Sequence, residues 1–237
     1  MPRFHLWTAF PAALTLLSSS AAHAASMTVL PITIDVLQPG TIGTITLRNS
    51  EARPLNAQVR VFRWTQVDGD DRLEPTEDVV PSPPIVSISA GADYVVRLQR
   101  TTSGEVAGEE AYRTVIDELP NPDRQRNGTV AVVLRYLVPT FFLSPDATQP
   151  KLAWALTRQD GATMLTATND GDKRIQIVDL KLKTASGRIV TVGKGLAGYI
   201  LGHSTHAWTV PAKAGSVSGA SVTATSDHGP ILASLSR

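Results

Sequence analysis

The chain contains no cysteine, which excludes disulfides, thiol nucleophiles and zinc–thiolate sites together. Aromatic residues are only 5% of it, so a sugar-binding platform has few rings to draw on. Neither sign of charge dominates: 22 Lys and Arg stand against 21 Asp and Glu. A net charge of +1 gives no field for nucleic acid or an anionic membrane. No segment holds an amphipathic helical period for more than about two turns. There is no Gly-rich loop followed by a phosphate-binding Lys, so no nucleotide or other cofactor is called for.

The apolar run Leu6–Leu17 follows Arg3 and precedes Ala22-His-Ala24. It is shorter than the roughly 20 residues that span a bilayer, and its flanks fit an export signal cleaved after Ala24. Removing residues 1–24 takes away Arg3 and no acid, leaving 21 cationic against 21 acidic side chains. The expectation is an exported protein in the periplasm. Its length suits one large or two small domains.

What remains reads as strands. Thr28–Val36, Thr41–Arg48, Leu55–Gln66, Ile85–Ser89, Tyr94–Gln99, Ala111–Leu119 and Thr129–Leu143 are β-branched or alternating runs separated by turn residues. About seven strands at this spacing predict an immunoglobulin-like sandwich. Ser144–Pro150, with two prolines and small polar residues, reads as a linker. Shorter strands between Lys151 and Thr225, punctuated by Gly161, Gly171, Gly187, Gly202, Gly215 and Gly219, predict a second β-domain. The organisation is thus 1–24 signal, 25–145 first sandwich and 146–237 second sandwich. A junction of two sandwiches forms a concave cleft, a usual binding place.

The stretch Ala111–Pro145 is the most informative. Val130, Val132, Leu134, Tyr136 and Val138 fall at every second position, so they share one face of an extended strand. The other face carries Thr129, Ala131, Val133, Arg135 and Leu137. Such a strand is either sandwich core or an edge kept for another chain. A slip of one residue exchanges the faces, so the opposite assignment, with Ala131, Val133 and Leu137 outward, stays open.

Ala111-Tyr-Arg-Thr-Val-Ile-Asp-Glu-Leu-Pro120 and Leu134-Arg-Tyr-Leu-Val-Pro-Thr-Phe-Phe142 resemble the PapD-like periplasmic chaperones of chaperone–usher pilus systems, in particular the archaic, Csu-like (spore coat U-associated) branch. Val61–Gln66, Asp71–Pro75 and Val80–Ile85 add to the likeness, and Gly202–Pro211 extends it weakly. The resemblance implies an all-β boomerang of two immunoglobulin-like domains, with pilus subunits and an outer-membrane usher as partners. It further implies donor-strand complementation: the strand at Val130–Val138 fills the groove of a subunit that lacks its own last strand. Members outside that branch anchor the subunit's terminal carboxylate with an Arg on the first strand and a Lys on the last. Those positions are Thr33 and Thr140 here, so Arg97 and Arg135 become the candidate anchors.

Other motifs read as structure. Gly202-His-Ser-Thr-His206 begins like a nucleophile elbow, but His206 replaces the second glycine and no strand-to-helix turn surrounds it. His203 and His206 offer a metal two ligands without a third nearby. Adjacent Asp117 and Glu118 point to opposite faces of a strand, which separates them as an acid–base pair. Asp68–Asp71 lacks EF-hand spacing and reads as a hairpin turn. Arg113, inside an apolar strand, predicts an ion pair with Asp117 or Glu118, the alternative being an anchor for the terminal carboxylate of a bound subunit. No catalytic or metal residue is assigned. The leading expectation is a pilus chaperone; the alternative is a secreted carbohydrate-binding or adhesive sandwich, for which Trp64, Trp154 and Trp208 would need to be exposed.

Overall fold

The computed structural model describes residues 26–120, 133–212, 217 and 219–235. Its described residues form seventeen strands in four sheets. The fold is all-β, built as two immunoglobulin-like sandwiches.

In the first sandwich, one sheet has the order β1 (Met27–Leu30), β3 (Ile42–Asn49), β8 (Asp93–Arg100) and β6 (Val79–Ser82). The facing sheet runs β2 (Ile34–Leu37), β10 (Arg135–Leu143), β9 (Glu109–Leu119), β4 (Leu55–Val67) and β5 (Asp70–Pro75), with β7 (Ile85–Ile88) also paired to β4. The run Thr28–Val36, expected as one strand, is two. Pro31 has no N–H for a ladder, and the chain crosses from one sheet to the other there. β1 pairs antiparallel with β3, whereas β2 pairs parallel with the end of β10. Inward residues of both sheets, among them Met27, Ile45, Leu47, Val59, Val96, Leu98, Tyr112, Ile116 and Phe142, make the core. Each such side chain contributes roughly 1.5–3 kcal/mol of burial before chain entropy is set against it.

The second sandwich places β11 (Leu152–Gln159), β12 (Ala162–Asn169) and β15 (Ser204–Thr209) over β14 (Ile189–Ile200), β13 (Ile175–Lys183), β16 (Ser221–Ser226) and β17 (Gly229–Ser234). Trp154 and Trp208 stack in its core with centroids 5.8 Å apart. The Trp208 indole N–H donates to Ala197 O at 2.8 Å.

One device closes a turn in each sandwich. Asn49 ends β3 and Asn169 ends β12, and both are fully buried. Asn49 accepts the Glu51 N–H on Oδ1 and donates to the carbonyls of Arg53, Ile88 and Ser89. Asn169 accepts the N–H groups of Lys151 and Gly171 and donates to the carbonyls of Lys173, Ile200 and Leu201. Each side chain satisfies backbone groups that the sheets leave over.

Candidate functional site

The site is built where the outer face of the β10–β9–β4 sheet runs into the second sandwich. Side chains alternate along each strand. On β9 the core side carries Tyr112, Thr114, Ile116 and Glu118, and the outer side carries Ala111, Arg113, Val115 and Asp117. Arg135 lies opposite Asp117, Leu137 opposite Val115, Pro139 opposite Arg113 and Phe141 opposite Ala111. The same rows continue onto β4 with Gln58, Arg60 and Phe62.

β10 is paired on both sides only along Thr140–Leu143, where β2 covers its second edge. From Arg135 to Pro139 its only partner among the described residues is β9. The Glu118 N–H donates to Leu134 O at 2.9 Å. Antiparallel pairing alternates its direction, so Tyr136 and Val138 also turn their backbone groups to β9, and Arg135 and Leu137 turn theirs outward. Pro139 faces the open side, where its missing N–H costs no ladder bond.

The faces of β10 are the reverse of the leading expectation. Val138 is buried in the first core, Tyr136 packs against it and donates its hydroxyl to Met27 O, and Leu134 is half-buried on the same side. Large apolar residues occupy both alternations, so size did not distinguish the faces; closure of this sandwich's own core did. Val133 and Leu137, at 47% and 49% exposure, form the open face with Arg135 between them. Val130 and Val132 lie outside the described residues.

Asp117 joins two cations. Arg60 Nη2 donates to its Oδ2 at 2.6 Å and Arg135 Nε to its Oδ1. Burial pushes the Asp117 carboxyl up, but the bonds from Arg135 and Arg60 outweigh it and hold the group below the usual range. Glu118 faces the other way and accepts the Ser26 hydroxyl at 2.6 Å. Arg113 therefore has neither of its expected partners. Its guanidinium carbon lies 3.6 Å from the Trp64 ring centroid and 5.4 Å from that of Tyr199. Burial lowers its pKa, with Asp71 and Tyr199 pulling the other way. A half-buried guanidinium held on aromatic faces keeps N–H donors for an incoming acceptor. Arg97 sits exposed on β8, in the opposite sheet, and does not share this face. Thr140 is fully buried, its hydroxyl 2.8 Å from that of Thr114.

The floor beneath Arg113 joins the sandwiches. Trp64, Phe141, Tyr199 and Leu201 form a buried cluster. Gln66 accepts the Leu201 N–H at 3.0 Å and donates to Tyr199 O at 2.8 Å. Arg174, from the second sandwich, donates to Glu109 and Asp35 at 2.7 Å each, its guanidinium 3.5 Å from the Phe141 centroid. The two-residue turn Asp68-Gly69 between β4 and β5 has positive φ at both positions, 56° and 89°, as a tight hairpin requires. Its tip docks on β15: the Ala207 N–H donates to Gly69 O, and a Cβ at Gly69 would lie 2.8 Å from that of Ala207. At Gly202 a Cβ would lie 2.0 Å from Asp172 O.

The remaining motifs take separate partners. Ser204 donates to Gly202 O, His203 Nε2 lies 2.7 Å from Asp172, and His206 Nδ1 lies 3.3 Å from Gln66 Nε2. Trp64, Trp154 and Trp208 are all buried, leaving none of them as an exposed platform.

Two immunoglobulin-like sandwiches, with an open strand edge running into their junction, define a pilus-chaperone fold. The chain belongs to the pili and flagellar-assembly chaperone family: the model of the PapD N-terminal domain matches residues 27–149. That family is one of chaperones rather than enzymes. Among solved structures, the chain is similar to one in the CsuC–CsuE chaperone–tip adhesion subunit pre-assembly complex from archaic chaperone–usher Csu pili of Acinetobacter baumannii. Identity there is 24% and the TM-score 0.72, covering 89% of this chain and 98% of the other. A chain in the Salmonella enterica SafA pilin–SafB chaperone complex matches at 16% identity and TM-score 0.64, covering 91% and 99%. The E. coli chaperone DraB matches at 19% and 0.60, covering 89% and 99%. No curated protein matches the chain in sequence.

Proposed function

We propose that the protein is a periplasmic chaperone that lends β10 to a pilus subunit lacking a strand, and delivers the subunit to an outer-membrane usher. One observation carries this reading: among the described residues, the edge of β10 is open from Arg135 to Pro139 and shut from Thr140 by β2. An incoming strand would gain backbone bonds at Arg135 and Leu137 while Val133 and Leu137 enter its sandwich. Where β2 begins, the visitor must end. That point is beside Arg113, the cross-strand neighbour of Pro139, so a terminal carboxylate there meets a guanidinium. The uncharged Thr33 and Thr140 fit the archaic branch, and the Csu complex supports both that placement and a subunit partner. No helix among the described residues is long and apolar enough to cross a membrane.

Amide hydrogen exchange tests the pairing. Subunit addition should slow exchange at Arg135 and Leu137, whose N–H groups face the open edge, and leave Tyr136 and Val138 nearly unchanged. Capture of a subunit with no added protection at Arg135 and Leu137 would reject β10 as the donor strand.

A further inference from the structure

Arg135 stands between Val133 and Leu137 on the face that would enter a subunit, where an uninterrupted apolar row would be simpler. Its guanidinium is held back on Asp117, which is shared with Arg60. Two cations on one carboxylate leave the group with one positive charge in excess. A groove of about 420 Å³ adjoins it, lined by Gln58, Arg60, Asp117, Val133 and Arg135, and by Glu118, whose carboxylate is turned to the other face and accepts the Ser26 hydroxyl. Covering this group with an apolar surface would strand the excess charge in a medium that cannot solvate it. A carboxylate entering the groove would instead close a network of two cations and two anions.

We propose that Arg135, with Arg60, selects subunits that carry an Asp or Glu side chain beside the slot receiving β10. This rests on the donor-strand reading and adds a subunit class to it. The selecting carboxylate belongs to a side chain and is distinct from the chain terminus placed at Arg113, two rows further along β10.

The test uses the full-length exported protein and the subunit that co-purifies with it from its native cells, purified and offered back to each variant. Arg135→Met keeps most of the side chain's length and apolar stem without the charge. It should weaken capture about tenfold or more and flatten the dependence of affinity on sodium chloride between about 0.05 and 0.5 M. Arg60→Met should shift both readouts in the same direction, and Arg135→Lys should restore part of the salt dependence. Equal or tighter capture by Arg135→Met, with an unchanged salt profile, overturns the selection and leaves strand donation standing. Failure of the wild-type protein to capture any subunit overturns both.

Discussion

Pro139 and Arg113 are direct cross-strand neighbours whose side chains share the outer face of the sheet. The last open position of β10 therefore adjoins the guanidinium resting on Trp64.

Arg113→Gln should keep the fold and weaken subunit capture. A charge-assisted hydrogen bond contributes roughly 1.5–3 kcal/mol, so the loss should be at least about tenfold. Removing the last residue of the subunit, which moves its terminus, should cost the wild-type protein as much and the variant little. Additive losses in that cycle would count against a direct contact.

Leu137→Asp and Val138→Asp separate the two faces. The first adds a charge to an exposed position and should leave the melting temperature near wild type while abolishing capture. The second drives a carboxylate into the core beside Tyr112 and Phe142, costing about 3 kcal/mol or more. Thermal unfolding and capture, measured side by side, check both.

His206 predicts a pH dependence of stability. Burial lowers its pKa below the ordinary 6.5, although Asp71 and Asp70 pull it back. As pH falls, the unfolded chain takes up the proton before the folded one. The contribution is thus fully present above about pH 6.5 and is lost as pH falls from there through the folded pKa. His206→Gln should remove that part of the profile. The difference in melting temperature between the two proteins should change between about pH 7.5 and pH 5; parallel curves would show that another group titrates.

Asn169→Asp should destabilise more than Asn169→Ala. The alanine leaves buried backbone groups unpaired, at roughly 1–3 kcal/mol each. The aspartate also turns oxygen toward three carbonyl oxygens that now receive N–H groups. Asn49 should behave alike, and denaturant unfolding of the four variants gives the comparison.

Much of the first sandwich was legible because its strands alternate or are β-branched. β5 was not: Asp70–Pro75 is exposed at every position and carries no burial pattern. β6 contains Pro81, and β17 begins Gly229-Pro230, both poor strand signals. The site was legible as a strand, but its open face was not, because both alternations of β10 are apolar. Arg113 stands out in the sequence by its apolar setting, but the expected ion pair is replaced by contact with the Trp64 ring. Its contact with Trp64 depends on the register of β4 against β9, which places residues far apart in sequence on one face. Asp117, close to Arg113 in sequence, is bound by Arg60 and Arg135 through the same register.

The closed end of the β10 edge has a consequence for the unoccupied protein. An exposed strand is a template on which another chain can add. Among the described residues, Pro139 brings no N–H to that template and β2 occupies the edge from Thr140 onward. A strand laid along Arg135–Pro139 is thus halted at the junction of the sandwiches, and the stop that fixes a visitor's register also bars it from sliding past.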